Sequence, residues 1–456
     1  MIRALLLAAS FGLPSVAEAQ VAQTNLRYDE DWSQLRGTPD RRADWWARLK
    51  DRPLDEGGRF TLTLGAEARV RYEGFADNLW GAPPAPDDGY LWLRVLPLAD
   101  LHAGPARIFV QGIGGYARGV GAGAGPADKT GLDLLQGFAD IQLPISDQAS
   151  LTLRAGRELI ALGSERLVGL RYGPNIPQPF DGVRLMLERG NSRIEAFHGK
   201  PVAVHPGNFD DRRSPTKQLD GLYVTAPLAT GVKVDLYALR YSDAAARYAN
   251  MIARERRQTY GVRLFGTHAA LGWNWEAMLQ RGRFGTQSIK AWSIATETSY
   301  AFAETPLKPR LRLRANAASG DHDPKDDRLG TFNALFPKGK YFGELTPIGP
   351  RNILNLHPSI DVDLGRGLTA ELAAVAYWRF SRGDGIYDVP GQLIRAAGQG
   401  VSRHIGNQVE LSANWQASTI LSVSASASLF RAGDFLRQTG PARPIRMVGT
   451  EIMFRF

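Results

Sequence analysis

The chain closes on VGTEIMFRF, residues 448–456. Val448, Thr450, Ile452, Phe454 and Phe456 fall on one side of a period-two alternation, and Gly449, Glu451, Met453 and Arg455 on the other. Such alternation predicts a β-strand with two unlike faces, because successive side chains point to opposite sides of the pleat. One face is apolar to the last residue, so an apolar medium or a second protein layer must cover it.

The same beat recurs along the chain. In RFTLTLGAEARVRYEGF (59–75), Phe60, Leu62, Leu64, Ala66, Ala68, Val70 and Tyr72 alternate with Thr61, Thr63, Gly65, Glu67, Arg69, Arg71 and Glu73. In PRLRLRANA (309–317), Leu311, Leu313 and Ala315 alternate with Arg310, Arg312, Arg314 and Asn316. GLTAELAAVAYWRFS (367–381) sets Leu368, Ala370, Leu372, Ala374, Ala376 and Trp378 against Thr369, Glu371, Tyr377 and Arg379. TILSVSASASLF (419–430) sets Leu421, Val423, Ala425, Ala427 and Leu429 against four serines.

Segments of this kind, bounded by Gly, Pro, Asp and Asn, cover 59–75, 90–102, 105–118, 131–144, 149–159, 181–189, 192–199, 217–227, 230–243, 256–267, 269–284, 288–303, 309–319, 351–364, 367–381, 404–416, 419–431 and 444–456. They number about eighteen, and an even number puts both termini on one side of a closed ring. The expected fold is all-β: a transmembrane antiparallel up-and-down barrel over 59–456, its last strand paired with its first. A two-sheet sandwich suits this less well, since these strands exceed the usual length. Tyr72, Trp378 and Trp415 also lie near strand ends, where aromatic girdles meet lipid interfaces. Connections are unequal. Tight ones at Gly190-Asn191 and Gly365-Arg366-Gly367 are expected on the periplasmic side, and long ones at 76–89, 119–130, 160–180, 200–216, 320–350 and 382–403 outside.

Composition is compatible with this reading. Arg3, an apolar stretch over 4–13 and Ala17-Glu18-Ala19 predict a secretory signal over 1–19, with a periplasmic lead-in over 20–58. No cysteine is present, which excludes disulfides, thiolate metal sites and cysteine nucleophiles. Apolar residues make up 44% and mean hydropathy is −0.24. Barrels share such averages with soluble proteins, because only alternate residues meet lipid. Past the signal, no apolar run approaches the ~18 residues of a membrane helix.

Lysine and arginine total 55 against 46 acidic residues, a net charge of +9. The polar rows carry much of the arginine: Arg69, Arg71, Arg94, Arg154, Arg184, Arg310, Arg312, Arg314 and Arg379 are expected to face inward, with Glu67, Glu158, Asp181 and Glu371 as partners. A ring of arginines around a bore favours anions; ion-paired ladders that stiffen the wall are the plainer alternative. Arg310, Arg312 and Arg314 stand about 6–7 Å apart on one face. Such a row needs carboxylates opposite or an anionic ligand.

Catalytic signals are weak. The seven histidines are scattered, and LGSER around Ser164 lacks the glycines of a nucleophile elbow. No enzymatic activity, cofactor or nucleic-acid partner is expected. DHDPKDD, containing Asp321, Asp323, Asp326 and Asp327, loosely resembles a calcium loop, but Phe332 stands where the twelfth-position glutamate belongs. A solvated loop is the preferred reading, with loose surface calcium as the alternative.

Several segments resemble the alginate export family of outer-membrane barrels: GREL (156–159), SERLVGLRYGPN (164–175), FDGVRL (180–185), ASGD (318–321), LGTFNALFPKGKYFGE (329–344), GDGIYD (383–388), RHIGNQ (403–408) and DEDWS (29–33). The resemblance implies an eighteen-stranded barrel in a Gram-negative outer membrane, with an arginine-rich constriction passing an anionic uronate polysaccharide or its oligomers. It implies Arg154, Arg157, Asp181 and Arg184 at or near that constriction, and Arg395 on an inward-folding loop. Outer-membrane lipid, barrel-assembly machinery reading Phe456 and periplasmic export components are the implied partners. The loops 76–89 and 119–130 depart from the pattern, being neutral or glycine-rich. The rival function is an uptake porin for small organic acids or oligosaccharides; a barrel enzyme and a plugged structural barrel are further alternatives.

Overall fold

The computed structural model describes residues 23–35, 44–248, 251–398 and 402–456. The expected signal segment 1–19 lies outside them. Eighteen long strands follow in chain order: β1 (Phe60–Ala76), β2 (Asp88–Ala103), β3 (Ala106–Arg118), β4 (Gly131–Ser146), β5 (Ala149–Leu159), β6 (Pro179–Arg189), β7 (Ser192–Ala203), β8 (Lys217–Ala229), β9 (Val232–Tyr248), β10 (Met251–His268), β11 (Leu271–Phe284), β12 (Gln287–Ala301), β13 (Arg310–Ala318), β14 (Ile353–Gly365), β15 (Leu368–Arg379), β16 (His404–Gln416), β17 (Leu421–Ala432) and β18 (Ile445–Arg455).

Each strand pairs antiparallel with the next, and β18 pairs with β1 from Glu67↔Arg455 to Ala76↔Arg446. The ring is therefore closed, leaving no long edge of unpaired amides. The terminal strand that opened the sequence reading is the closing stave.

Outward and inward rows separate cleanly. On β1, Leu64, Val70 and Tyr72 are exposed while Thr63, Glu67, Arg69, Arg71 and Glu73 are buried. On β18, Val448 and Ile452 are each 53% exposed, and among the described residues no second layer covers them. An apolar belt of this extent is stable only against hydrocarbon. Among the described residues no helix is long and apolar enough to cross a membrane; the chain crosses with strands.

Connections beside the termini are short, as at 104–105, 147–148, 190–191 and 366–367; this is the terminal end of the barrel. Long loops gather at the other, loop end. There the structure departs from expectation, because, while 322–329 runs along the loop end of β12, 160–178 and 330–352 fold back into the lumen. They join inside it: Phe336 N donates to Leu167 O and Gly169 N to Phe336 O, both at 2.8 Å. Around that junction Leu167, Val168, Phe336, Phe342 and Leu345 pack against Phe180, Phe197, Tyr237, Tyr241 and Met278 of the wall. Part of the interior is thus apolar, built from inward aromatics that the polar-lumen expectation did not use.

Among its described residues the lead-in has single-turn helices at Arg27–Asp29, Trp32–Leu35 and Ala47–Leu49. It folds into the terminal mouth. Tyr28 lies edge-on to Phe109 and Phe138 at 5.9 and 5.3 Å and donates to Leu159 O at 2.7 Å. Arg27 donates to Phe456 O at 2.8 Å, and Trp45 packs on the Phe456 ring at 4.9 Å.

Candidate functional site

The inward arginines form three kinds of contact. The first is a ladder across β4–β7. Arg154 holds both Asp140 oxygens at 2.8 Å and Glu158 at 3.1 Å; Arg184, opposite it, holds the same Glu158 at 3.1 Å and also Glu195. All five groups are buried, and every charge has a counter-charge. These residues stiffen the wall.

In the second kind, arginines grip the inward loops by their carbonyls. Arg69 donates to Tyr172 O at 3.0 Å and Pro174 O at 2.7 Å. Arg94 pairs with Glu67 at 2.8 Å, reaches Asn175 O at 3.2 Å and lies 4.1 Å from the Tyr172 ring centre. Asn175 Nδ2 donates to three further carbonyls, those of Leu93, Tyr116 and Asp128. Arg71 bridges Glu73, Glu451 and Glu344, and Lys340 joins Glu73 and Glu344 at 2.7 and 2.6 Å. Burial alone would raise the Glu344 carboxyl, but Lys340 and Arg71 hold it at about 2. Arg379, expected to line the bore, instead donates to the carbonyls of Arg382, Asp384 and Ser402 and covers the Phe435 ring at 3.8 Å. Arg395 donates to Pro441 O at 3.0 Å near the Trp80 ring, tying two loops over the mouth.

Contacts of the third kind face the open part of the lumen. Arg310 and Arg312 share Asp361 at 3.1 and 2.9 Å, and Arg314 meets Glu297 at 3.2 Å. The row has its carboxylates opposite, so it does not require a ligand for neutrality. Arg310 remains 49% exposed.

Two expected residues take the other side. Arg157 pairs with Asp181 at 2.7 Å, but both belong to the outward parity of β5 and β6, alongside exposed Leu153, Val183 and Leu185. The bulky loop 204–216 covers them, with Asp211 O accepting from Arg157 at 3.3 Å. The resemblance placed them at the constriction; strand parity removes them from it. The acidic loop also organises itself locally, Asp323 accepting from Lys325 N and Asp326 from Arg328 N. Among the described residues, the carboxylates close enough to share a cation are Asp133, Asp210 and Asp211 instead, where Arg157 already lies 3.7 Å from Asp133.

Three residues that the sequence did not single out, Lys338, Arg166 and His357, gather around the expected Arg314. Where the inward loops join, Lys338 N donates to Glu165 O at 2.9 Å, which brings Lys338 beside Arg166 and Arg314. Arg166 is held by Glu276 at 2.8 Å. His357, directly opposite Arg314 in the β13–β14 register, is 2% exposed, and both its ring nitrogens lack a protein partner, as does Asn355 Nδ2 two residues away. Among the described residues no carboxylate is within ion-pair distance of the Lys338 ammonium. Of the three cations on this face, Arg166 and Arg314 are each paired with a carboxylate, so Lys338 alone keeps an unshared charge, beside the unfilled hydrogen-bonding positions of His357 and Asn355. Lys338 and Arg166 lie on loops without periodicity, so alternation could not reveal them; PKGK and SERL were visible only as parts of quoted motifs.

The profile described as alginate export matches residues 60–449. No curated protein matches the sequence. Among solved structures, OccAB1 of Acinetobacter baumannii superposes with a TM-score of 0.58 at 14% identity, covering 87% of this chain and 97% of that one. OccK2 (OpdF) of Pseudomonas aeruginosa in complex with glucuronate gives 0.56 at 13%, covering 87% and 98%. OpdK of the same organism with vanillate gives 0.57 at 12%, covering 86% and 98%. At such identities the likeness concerns the barrel architecture, that of outer-membrane porins.

Proposed function

The chain belongs to the alginate export family, and from that premise we propose that it is an anion-favouring outer-membrane channel for an acidic polysaccharide or its oligomers. Barrel and porin-like relatives indicate the bacterial outer membrane. The observation that carries the anion reading is the face formed by Lys338, Arg166, Arg314 and His357 where two loops narrow the lumen. A cationic wall bounded by hydrocarbon focuses potential into the water it encloses, raising the local concentration of anions. Because most of the guanidinium groups are already paired, each contact is moderate, and a polyanion can pass from one to the next without being trapped.

A second reading, uptake of small organic acids, gains support from the bound molecules of two structural relatives, glucuronate and vanillate, both monocarboxylates. Family membership favours the polymer. The two are separated by recording single channels in planar bilayers with uronate oligomers of increasing length. Export of a chain predicts current interruptions that lengthen with oligomer length and shorten in Lys338→Met. Interruptions equal to those from neutral oligosaccharides of the same length would contradict recognition by charge; interruption by the monomer alone would favour uptake.

A further inference from the structure

The outer wall of β9–β12 changes character toward the loop end. Its middle is apolar and exposed, with Leu222 of β8 beside Leu236, Tyr260, Val262, Leu279 and Ile294. Just above, the register sets Arg240 beside Gln258, Gln258 beside Arg281, and Arg281 beside Lys290. One rung nearer the loops, Ser242 stands beside Arg256, Arg256 beside Arg283, and Ser288 beside Arg328. All six cations are exposed, whereas their chain neighbours Tyr241, Glu255, Arg257, Phe284 and Ile289 are buried. They belong to the lipid-facing parity and touch no part of the lumen.

Five of these six cations have no ion-pair partner among the described residues, Arg240 alone having one. Arg256 lies directly opposite Arg283, and Arg281 directly opposite Lys290, pairings that destabilise a sheet through like-charge repulsion. The two rungs hold one carboxylate nearby, Asp220, which already serves Arg240 at 3.0 Å and His198 at 2.6 Å. The acidic loop passes this edge, Asp327 O accepting from Ser288 N at 2.7 Å, yet among the described residues none of its carboxylates pairs with these side chains. From Arg240 to Lys290 is three strand spacings, about 14 Å, wider than a single phosphate spans. A shallow groove lined by Arg240, Ser242, Arg256 and Arg283 lies above an apolar one lined by Leu222, Tyr260 and Leu279.

We propose that this patch binds the phosphorylated headgroup of an outer-leaflet glycolipid, whose acyl chains lie along the apolar groove beneath. The charge is complementary, the fork of a guanidinium fits a phosphate in two-point contact, and the height is that of a headgroup at the upper rim of the belt. The spread of the cations suits a sugar carrying more than one phosphate. The proposal rests on the outer-membrane reading but not on anion transport.

The test is native mass spectrometry of the detergent-purified full chain with bisphosphorylated lipid A, the same lipid stripped of phosphate, and phosphatidylglycerol. The bisphosphorylated lipid is expected to be retained at least tenfold better than either other lipid. Retention should fall at least tenfold in R256S/R283S/K290S and remain unchanged in R59S/K308S/R366S, which removes equal charge at the terminal end. Single-channel conductance of the first variant should match the wild type, showing that it is folded and that transport is a separate matter. Equal retention of the stripped lipid or of phosphatidylglycerol, undiminished retention in R256S/R283S/K290S, or a dimer of the chain in place of bound lipid would each overturn the assignment. If that variant does not assemble, the three-lipid comparison on the wild type decides.

Discussion

Lys338 is a cation whose surroundings do little to neutralise it. Burial, and then Arg314 and Arg166, push its ammonium below the usual lysine value. It is charged below its own pKa and neutral above, so its share of the anion preference is lost as pH rises, beginning earlier than for an ordinary lysine. Reversal potentials recorded from neutral to alkaline pH should show this decline, and Lys338→Met should start from the weaker preference and lack that component. A different contrast separates clamps from exposed pairs. Arg94→Ala takes from buried Glu67 one of its two arginine partners, Arg455 remaining at 2.8 Å, and loosens loop 160–178, at a cost of about 1.5–3 kcal/mol, whereas Arg310→Ala removes a half-exposed pair costing about 0–1 kcal/mol. Urea unfolding in vesicles should rank them in that order; equal midpoints would deny Arg94 its anchoring role. Arg69, Arg71 and Arg94 were legible as inward residues because parity alone assigns a face. That Arg69 and Arg94 hold carbonyls of a folded-in loop was not legible, since a carbonyl partner leaves no mark in residue type.

At the scale of elements, strands were readable because each satisfies one repeated demand, lipid on one side and water or packed polar groups on the other. Predicted and observed boundaries differ most where that demand ends: β10 begins at Met251 rather than 256, above the belt. Gly156 left no trace in the alternation, yet at a φ of 139° its missing Cβ would lie 2.3 Å from Gly137 O. The inward loops and the lead-in were read as external or simply as leading in, because their packing is settled by contacts distant in sequence. The lead-in now carries its own expectation. With Tyr28 set among Phe109, Phe138 and Leu98 on the inner wall, removing residues 23–35 should raise single-channel conductance and leave selectivity nearly intact, since the cationic face lies on other segments. Unchanged conductance would mean that this segment does not occupy the path.

For the whole molecule, one physical circumstance joins fold to function. A closed sheet leaves its apolar rows to lipid and encloses loops gripped by buried arginines; on the proposed reading those loops set the width and the sign of the bore. Reading that circumstance from the sequence required only period two and closure. Reading the sign required knowing which cations keep a counter-charge, and that emerged only when Asp140, Glu67, Glu195 and Asp361 were seen beside their arginines. The most direct test is the reversal potential of the purified protein in a planar bilayer under a tenfold KCl gradient. The predicted sign is that of chloride passing more readily than potassium, diminished in Lys338→Met; a potential of cation sign, or a bilayer that carries no current, would contradict it.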